Sequence, residues 1–148
     1  MSVIEAEVVI DAPPERVWAV VADPRNLPTW DRRVVAVRDV PAGGLSKDSG
    51  YVVELRFMGV RAEVKAKVLE LEPKEYAKVR LTGMADATIE TWVRPDGLGR
   101  SRLRHRIDYS FKGGALGEFA ARAVRMLGAQ GMLKRGLATQ KRQVESGS

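Results

Sequence analysis

The sequence has no cysteine. That excludes disulfides, thiol catalysis and cysteine metal sites. It has one histidine, His105, and no acidic cluster on a shared buried face, so neither a metal nor a cofactor is expected. No phosphate-binding glycine loop, Ser-His-Asp order or dinucleotide fingerprint occurs, and Gly97-Leu98-Gly99 reads as a hairpin turn. No apolar run approaches the roughly eighteen residues of a membrane span. The start, Met1-Ser2-Val3-Ile4-Glu5, lacks the basic-then-apolar order of a signal peptide, which with the missing cysteine fits a cytoplasmic protein. Acid is in shorter supply than base: 19 Asp and Glu against 25 Lys and Arg, a net charge of +6. The basic residues are spread along strands and the last helix, without a recognition-helix, zinc-finger or RNA-strand motif. A basic solvated face is expected, and no specific nucleic-acid partner.

What is present is an ordinary globular composition, 45% hydrophobic and 30% charged over 148 residues. This predicts one domain, residues 1–148, with a real core and a frayed tail over 145–148. The oligomeric state, monomer or dimer, is left open.

Val3 to Ile10 alternates, with Ile4, Ala6, Val8 and Ile10 on one face, and predicts a half-buried strand. Asp11 is placed to cap a short helix through Val17, Trp18, Val20 and Val21 that ends at Asp23-Pro24. Arg25 to Trp30 predicts a second short helix or turn, broken near Pro28. Six further strands are predicted: Asp31–Val40, Tyr51–Met58, Val60–Leu71, Ala77–Thr82, one around Ala87–Val93, and Ser101–Phe111. The stretch Pro41 to Gly50 is a surface loop, read as a plain hairpin connection or as a flap.

After Gly113-Gly114 the chain runs without proline to its end. Leu116, Phe119, Ala120, Ala123, Val124 and Leu127 recur at helical steps and predict one helix of about thirty residues, about 45 Å long. Strands with one polar face and short turns argue for a single antiparallel sheet. The predicted fold class is α+β: a curved seven-stranded sheet wrapped around a long C-terminal helix, with two short helices after the first strand.

The inward faces include small residues, Ala62, Ala66, Ala77, Ala87 and Thr91, opposed by Ala120, Ala123 and Gly131. Small residues on both walls predict a cavity between sheet and helix. Its expected lining is Val53, Leu55, Phe57, Val64, Ala66, Leu81, Ile89, Ile107 and Tyr109, with Phe119, Ala123 and Leu127 above. The polar candidates are His105, Tyr51, Tyr109 and Thr91, with Trp30 either at the cavity mouth or packed in the core. His105 has two readings, a ligand-binding or catalytic group and a buried histidine bonded to a neighbour. Gln130 and Lys134 share the sector of Leu116, Ala120 and Leu127; Lys134 either reaches the cavity end or snorkels to water. Trp92 has outward parity.

The element order and several phrases resemble the START-like, or Bet v 1-like, superfamily (SRPBCC, polyketide cyclase/dehydrase type). These phrases are Ile10-Asp11-Ala12-Pro13-Pro14-Glu15-Arg16-Val17-Trp18, Val21-Ala22-Asp23-Pro24, Leu27-Pro28-Thr29-Trp30 and Gly99-Arg100-Ser101-Arg102-Leu103. The resemblance spans nearly the whole chain and implies a helix-grip fold with a deep cavity between sheet and long helix. It implies three kinds of function. The first is a carrier or sensor of a small hydrophobic ligand (lipid, polyketide or other aromatic or isoprenoid type). The second is a polyketide cyclase or aromatase with His105 as general base. The third is a protein- or ribosome-interaction module, for which outward Arg102, Arg104 and Arg106 would serve.

Overall fold

The structure is a computed structural model that describes residues 2–57, 59–83, 85–111, 114 and 128–147. Strand β1 (Ser2–Ile10) leads into helix α1 (Pro14–Val21), a 3-10 turn (Pro24–Asn26) and helix α2 (Leu27–Trp30). Six strands follow: β2 (Val34–Arg38), β3 (Gly50–Phe57), β4 (Val60–Glu72), β5 (Tyr76–Thr82), β6 (Ala85–Pro95) and β7 (Ser101–Phe111). Helix α3 (Ala129–Ser146) comes last.

The strands form one seven-stranded sheet in the order β1-β7-β6-β5-β4-β3-β2, every pair antiparallel. The expected curved antiparallel sheet with a long C-terminal helix packed on it is therefore the observed architecture. Strict alternation sets the register, because a slip of one residue would turn every apolar side chain outward. Rows of inward residues cross the sheet: Val79, Ile89 and Ile107 in one, Ala77, Thr91 and His105 in another. Register shifts between Val34 and Ala36 and between Val68 and Glu70 bend β2 and β4. Phe57 pairs with Val60 across a two-residue turn, which Gly59 permits with φ 79°.

Two apolar clusters form on the inner face. In the first, Val17 of α1 packs with Ile10, Ala12, Val93 and Leu103 of the sheet region and with Leu137 and Val144 of α3. The second joins Val34, Tyr51, Val53 and Ala66, with Leu27 of α2 and Leu45 of the 39–49 connection against it. That connection is tied to β4: Asp48 N–H donates to Val68 O at 2.8 Å and Val68 N–H to Ser49 O at 2.9 Å. It extends the β3–β4 ladder as an ordered connection between strands.

Polar bonds stitch the first cluster together. Ser101 Oγ, fully buried, donates to Ala12 O at 2.7 Å. Arg16 Nη2 donates to Val144 O and Lys141 Nζ to Val9 O, each at 2.9 Å.

Three sequence expectations are corrected. Asp11 does not cap α1; the cap position is Pro13, with no side-chain bond. Consecutive prolines fix the approach to the helix, and Asp11 instead gives its backbone N–H to Glu145 Oε2. Pro28 does not break the second helix but sits in the first turn of α2, where a missing N–H costs nothing. The helix continues through Ser146, and Glu145 is held by Asp11 N–H and by Lys141 Nζ at 2.6 Å. Finally, no single helix runs through position 128. Gly128 is left-handed (φ 86°, ψ 41°), a conformation a right-handed helix cannot contain, and α3 begins after it.

Ser101→Ala should leave the buried Ala12 carbonyl without its donor. We expect a loss of about 1–3 kcal/mol in denaturant unfolding, with an unchanged slope; a loss under about 0.5 kcal/mol would show that this bond does not hold α1 to the sheet.

Candidate functional site

Helix α3 lies on β1 and against α1 and α2. Its buried side chains are Ala129, Leu137, Gln140 and Val144. Gln140 projects among apolar neighbours because a partner waits there. His105 Nε2 lies 2.9 Å from Gln140 Oε1, and His105 Nδ1 lies 2.9 Å from Thr91 Oγ1. With a carbonyl oxygen facing it, Nε2 carries the proton and donates to Gln140. Nδ1 then accepts from the Thr91 hydroxyl, and the neutral ring is satisfied on both sides. Thr91 and His105 face each other directly across β6 and β7, and Ala6 of β1 stands beside the histidine.

From the edge of the second cluster, against which Leu55, Val79 and Leu81 pack, the inner face is less closed. Leu55, Val79, Leu81, Ile89 and Ile107 are inward and apolar, yet only half-buried. Ala62, Ala77 and Ala87, also half-buried, lie among them and add little bulk. At the β3 end of this band Tyr51 is buried, 9% exposed, and burial pushes its phenol up to about 12.

Residues 1–145 match the family described as polyketide cyclase / dehydrase and lipid transport. The chain belongs to that family. Among curated proteins nothing matches significantly. Solved structures of the same fold are numerous. TTHA0849 from Thermus thermophilus is 19% identical, with 99% of each chain covered and a TM-score of 0.80. A START superfamily protein from Mycobacterium smegmatis is 15% identical over 99% of each chain, with a TM-score of 0.76. The Zhui aromatase/cyclase from Streptomyces sp. R1128 is 15% identical, covering 99% of this chain and 98% of that one, with a TM-score of 0.71. At such identities these likenesses establish the fold and no more.

Most expected lining residues of this polyketide cyclase/dehydrase and lipid transport family member share the inner face. Val53, Val64, Ala66, Tyr109 and His105 are buried; Leu55, Leu81, Ile89, Thr91 and Ile107 are half-buried. Phe119, Ala123 and Leu127 lie outside the described residues, as does the Phe57 side chain. Trp30 packs against the last helix, its Nε1–H donating to Gln143 Oε1 at 2.8 Å. Lys134 is exposed, and Gln130, also exposed, bonds to Glu5 O. Gln140 was not among the expected site residues. Among the described residues there is no cluster of three or more metal-ligating side chains, and no helix is long and apolar enough to cross a membrane.

The outer face has the opposite character. Arg102 pairs with Glu7 at 2.9 Å and Asp96 at 3.4 Å, Arg104 with Glu5, and Arg106 with Glu90 at 3.3 Å. Trp92 lies on this face, as its parity requires, with Tyr76 at 5.4 Å and the Arg104 guanidinium 4.9 Å from its ring. The arginine stripe is matched by carboxylates instead of standing free.

Burial lowers the His105 pKa from its ordinary 6.5, opposed by the bond to Gln140. The folded protein keeps the ring neutral, whereas the unfolded chain takes up a proton as pH falls through 6.5. The stability this contributes is complete above that value and is lost as pH drops from it toward the folded-state pKa. The melting temperature should therefore decline between about pH 7.5 and 5.5, and His105→Gln should flatten that decline. Parallel curves for the two proteins would show that another group titrates.

Proposed function

We propose that this protein binds a small hydrophobic ligand, of lipid, polyketide or other aromatic or isoprenoid type, against the inner face of the sheet, without catalysing a reaction. The observation that carries this reading is the half-buried apolar band of Leu55, Val79, Leu81, Ile89 and Ile107, which runs across the sheet from the edge of the second cluster. Apolar side chains on a sheet's inner face are normally sealed by packing. Here they keep contact with accessible space, beside alanines that leave room. Covering such a band removes apolar surface from water at about 25 cal/mol per Å². The family description names lipid transport alongside cyclase and dehydrase activity, and the fold likenesses include a protein described as an aromatase/cyclase.

The cyclase reading ranks second. It needs a general base with a lone pair open to substrate. His105 is the one histidine, its Nδ1 lone pair is taken by Thr91, and its Nε2–H is taken by Gln140. No Asp or Glu occupies an inward position of the described strands to assist it. The interaction-module reading ranks third, because the arginines it would use are paired.

Ala87 tests the first reading, being inward, small and half-buried. Ala87→Phe should fill the band and weaken binding of an environment-sensitive apolar dye at least about tenfold. Denaturant stability should fall by less than the roughly 1–3 kcal/mol typical of overpacking a closed core. A wild-type protein that binds no apolar probe, together with a strongly destabilised variant, would mean that the band is packed shut.

A further inference from the structure

The polar groups of the inner face differ in what they have left to offer. Thr91 and His105 are committed to each other, and His105 also to Gln140. Gln140 gives its oxygen to the histidine; its amide nitrogen has no partner among the described residues, but it lies beside Leu137 and Val144 in the packed cluster. Tyr51 stands at the other end. Its side chain is nine-tenths buried, and among the described residues its hydroxyl has no hydrogen-bond partner. The hydroxyl oxygen itself is not sealed off, so a bound molecule could reach it without displacing a protein partner.

The surroundings of Tyr51 indicate what would meet it. Its cross-strand row runs through Ala66 and Leu81 to Ala87. In that row buried Ala66 and half-buried Ala87 flank half-buried Leu81 and add little bulk beside the ring. Burial holds the phenol protonated far above neutral pH, so the group is a neutral donor and not a phenolate. No cationic side chain shares the inner face of the described strands, so nothing there neutralises a carboxylate or phosphate. A neutral donor in apolar surroundings matches a neutral acceptor, above all a carbonyl oxygen.

We propose that Tyr51 is the specificity-determining residue of the apolar site, donating its hydroxyl proton to a carbonyl oxygen of an otherwise apolar ligand. This rests on the ligand-binding reading above and narrows it to ligands with a ketone, quinone or ester carbonyl at one end.

The test uses two probes of equal shape, 2-acetylnaphthalene and 2-isopropenylnaphthalene, which exchange C=O for C=CH2. Wild-type protein should bind the ketone about five- to tenfold more tightly, and the bound carbonyl stretch should move to lower frequency. Tyr51→Phe should bind the hydrocarbon as the wild type does, lose the preference for the ketone and remove the shift. The unchanged hydrocarbon affinity serves as the control for folding. If the variant fails to fold, the carbonyl stretch in the wild type alone decides: an unshifted band overturns the assignment. A ketone preference that persists in Tyr51→Phe, or is absent from the wild type while both probes bind, removes Tyr51 and leaves the cavity standing. If neither probe binds the wild type, the cavity and the assignment fall together.

Discussion

The inner face of the sheet is wider than a helix. Seven strands at about 4.8 Å separate the two edge strands by about 29 Å, whereas a helix with its side chains is about 10–12 Å across. Helix α3 rests on β1 and touches α1 and α2, so it seals one end. Val17, Leu103, Leu137 and Val144 close that end into a packed cluster. Leu27 of α2 and Leu45 of the 39–49 connection help close the other, over Val34, Tyr51 and Val53. The half-buried band of Val79, Leu81, Ile89 and Ile107 follows from this geometry. Such a sheet shows more apolar face than the described helices α1 to α3 touch.

The polar groups on that face obey a second constraint. An imidazole buried among aliphatic side chains needs partners for both nitrogens, and Thr91 and Gln140 provide them. Burial keeps the ring neutral, and the bonds, by fixing its orientation, also remove it from chemistry. A base whose lone pair already accepts a hydrogen bond must lose that bond before it can take a proton from substrate. The same pairing that makes His105 tolerable in the core therefore argues against its use as a catalyst. Among the described residues the Tyr51 hydroxyl has no such partner, which is the difference the carbonyl-donor proposal rests on.

The sheet was legible in the sequence because strand parity has a period of two and turn residues mark its limits. The pairing of Thr91 with His105 and of Val79 with Ile89 follows from alternation once the hairpins are placed. The last helix was harder to read. Projecting one continuous helix from Leu116 put Gln130 and Lys134 on the inward sector. The left-handed Gly128 resets the phase, so that Leu137, Gln140 and Val144 point inward while Gln130 and Lys134 are exposed. Gln140 as the partner of His105 was thus invisible to periodicity, since a glutamine on a helix carries no signal until the helix is docked. Asp11 misled for a local reason: it looks like a cap, but two prolines stand between it and the first free N–H groups of α1.

The same alternation decides the fate of the charge. A sheet that keeps one face apolar forces its Arg, Lys, Glu and Asp onto the other, where neighbouring strands bring opposite signs together. Arg106 lies directly opposite Glu90, and Arg104 directly opposite Trp92, while Arg104 also reaches diagonally to Glu5. Glu54 and Glu63, like charges facing each other across β3 and β4, are each met by an arginine, Arg61 and Arg38. The arginines of β7 are thus matched by carboxylates on neighbouring strands. Exposed pairs of this kind add little to stability. What remains distinctive is on the inside, where the described strands place no charged side chain and where, among the described residues, the Tyr51 hydroxyl has no hydrogen-bond partner.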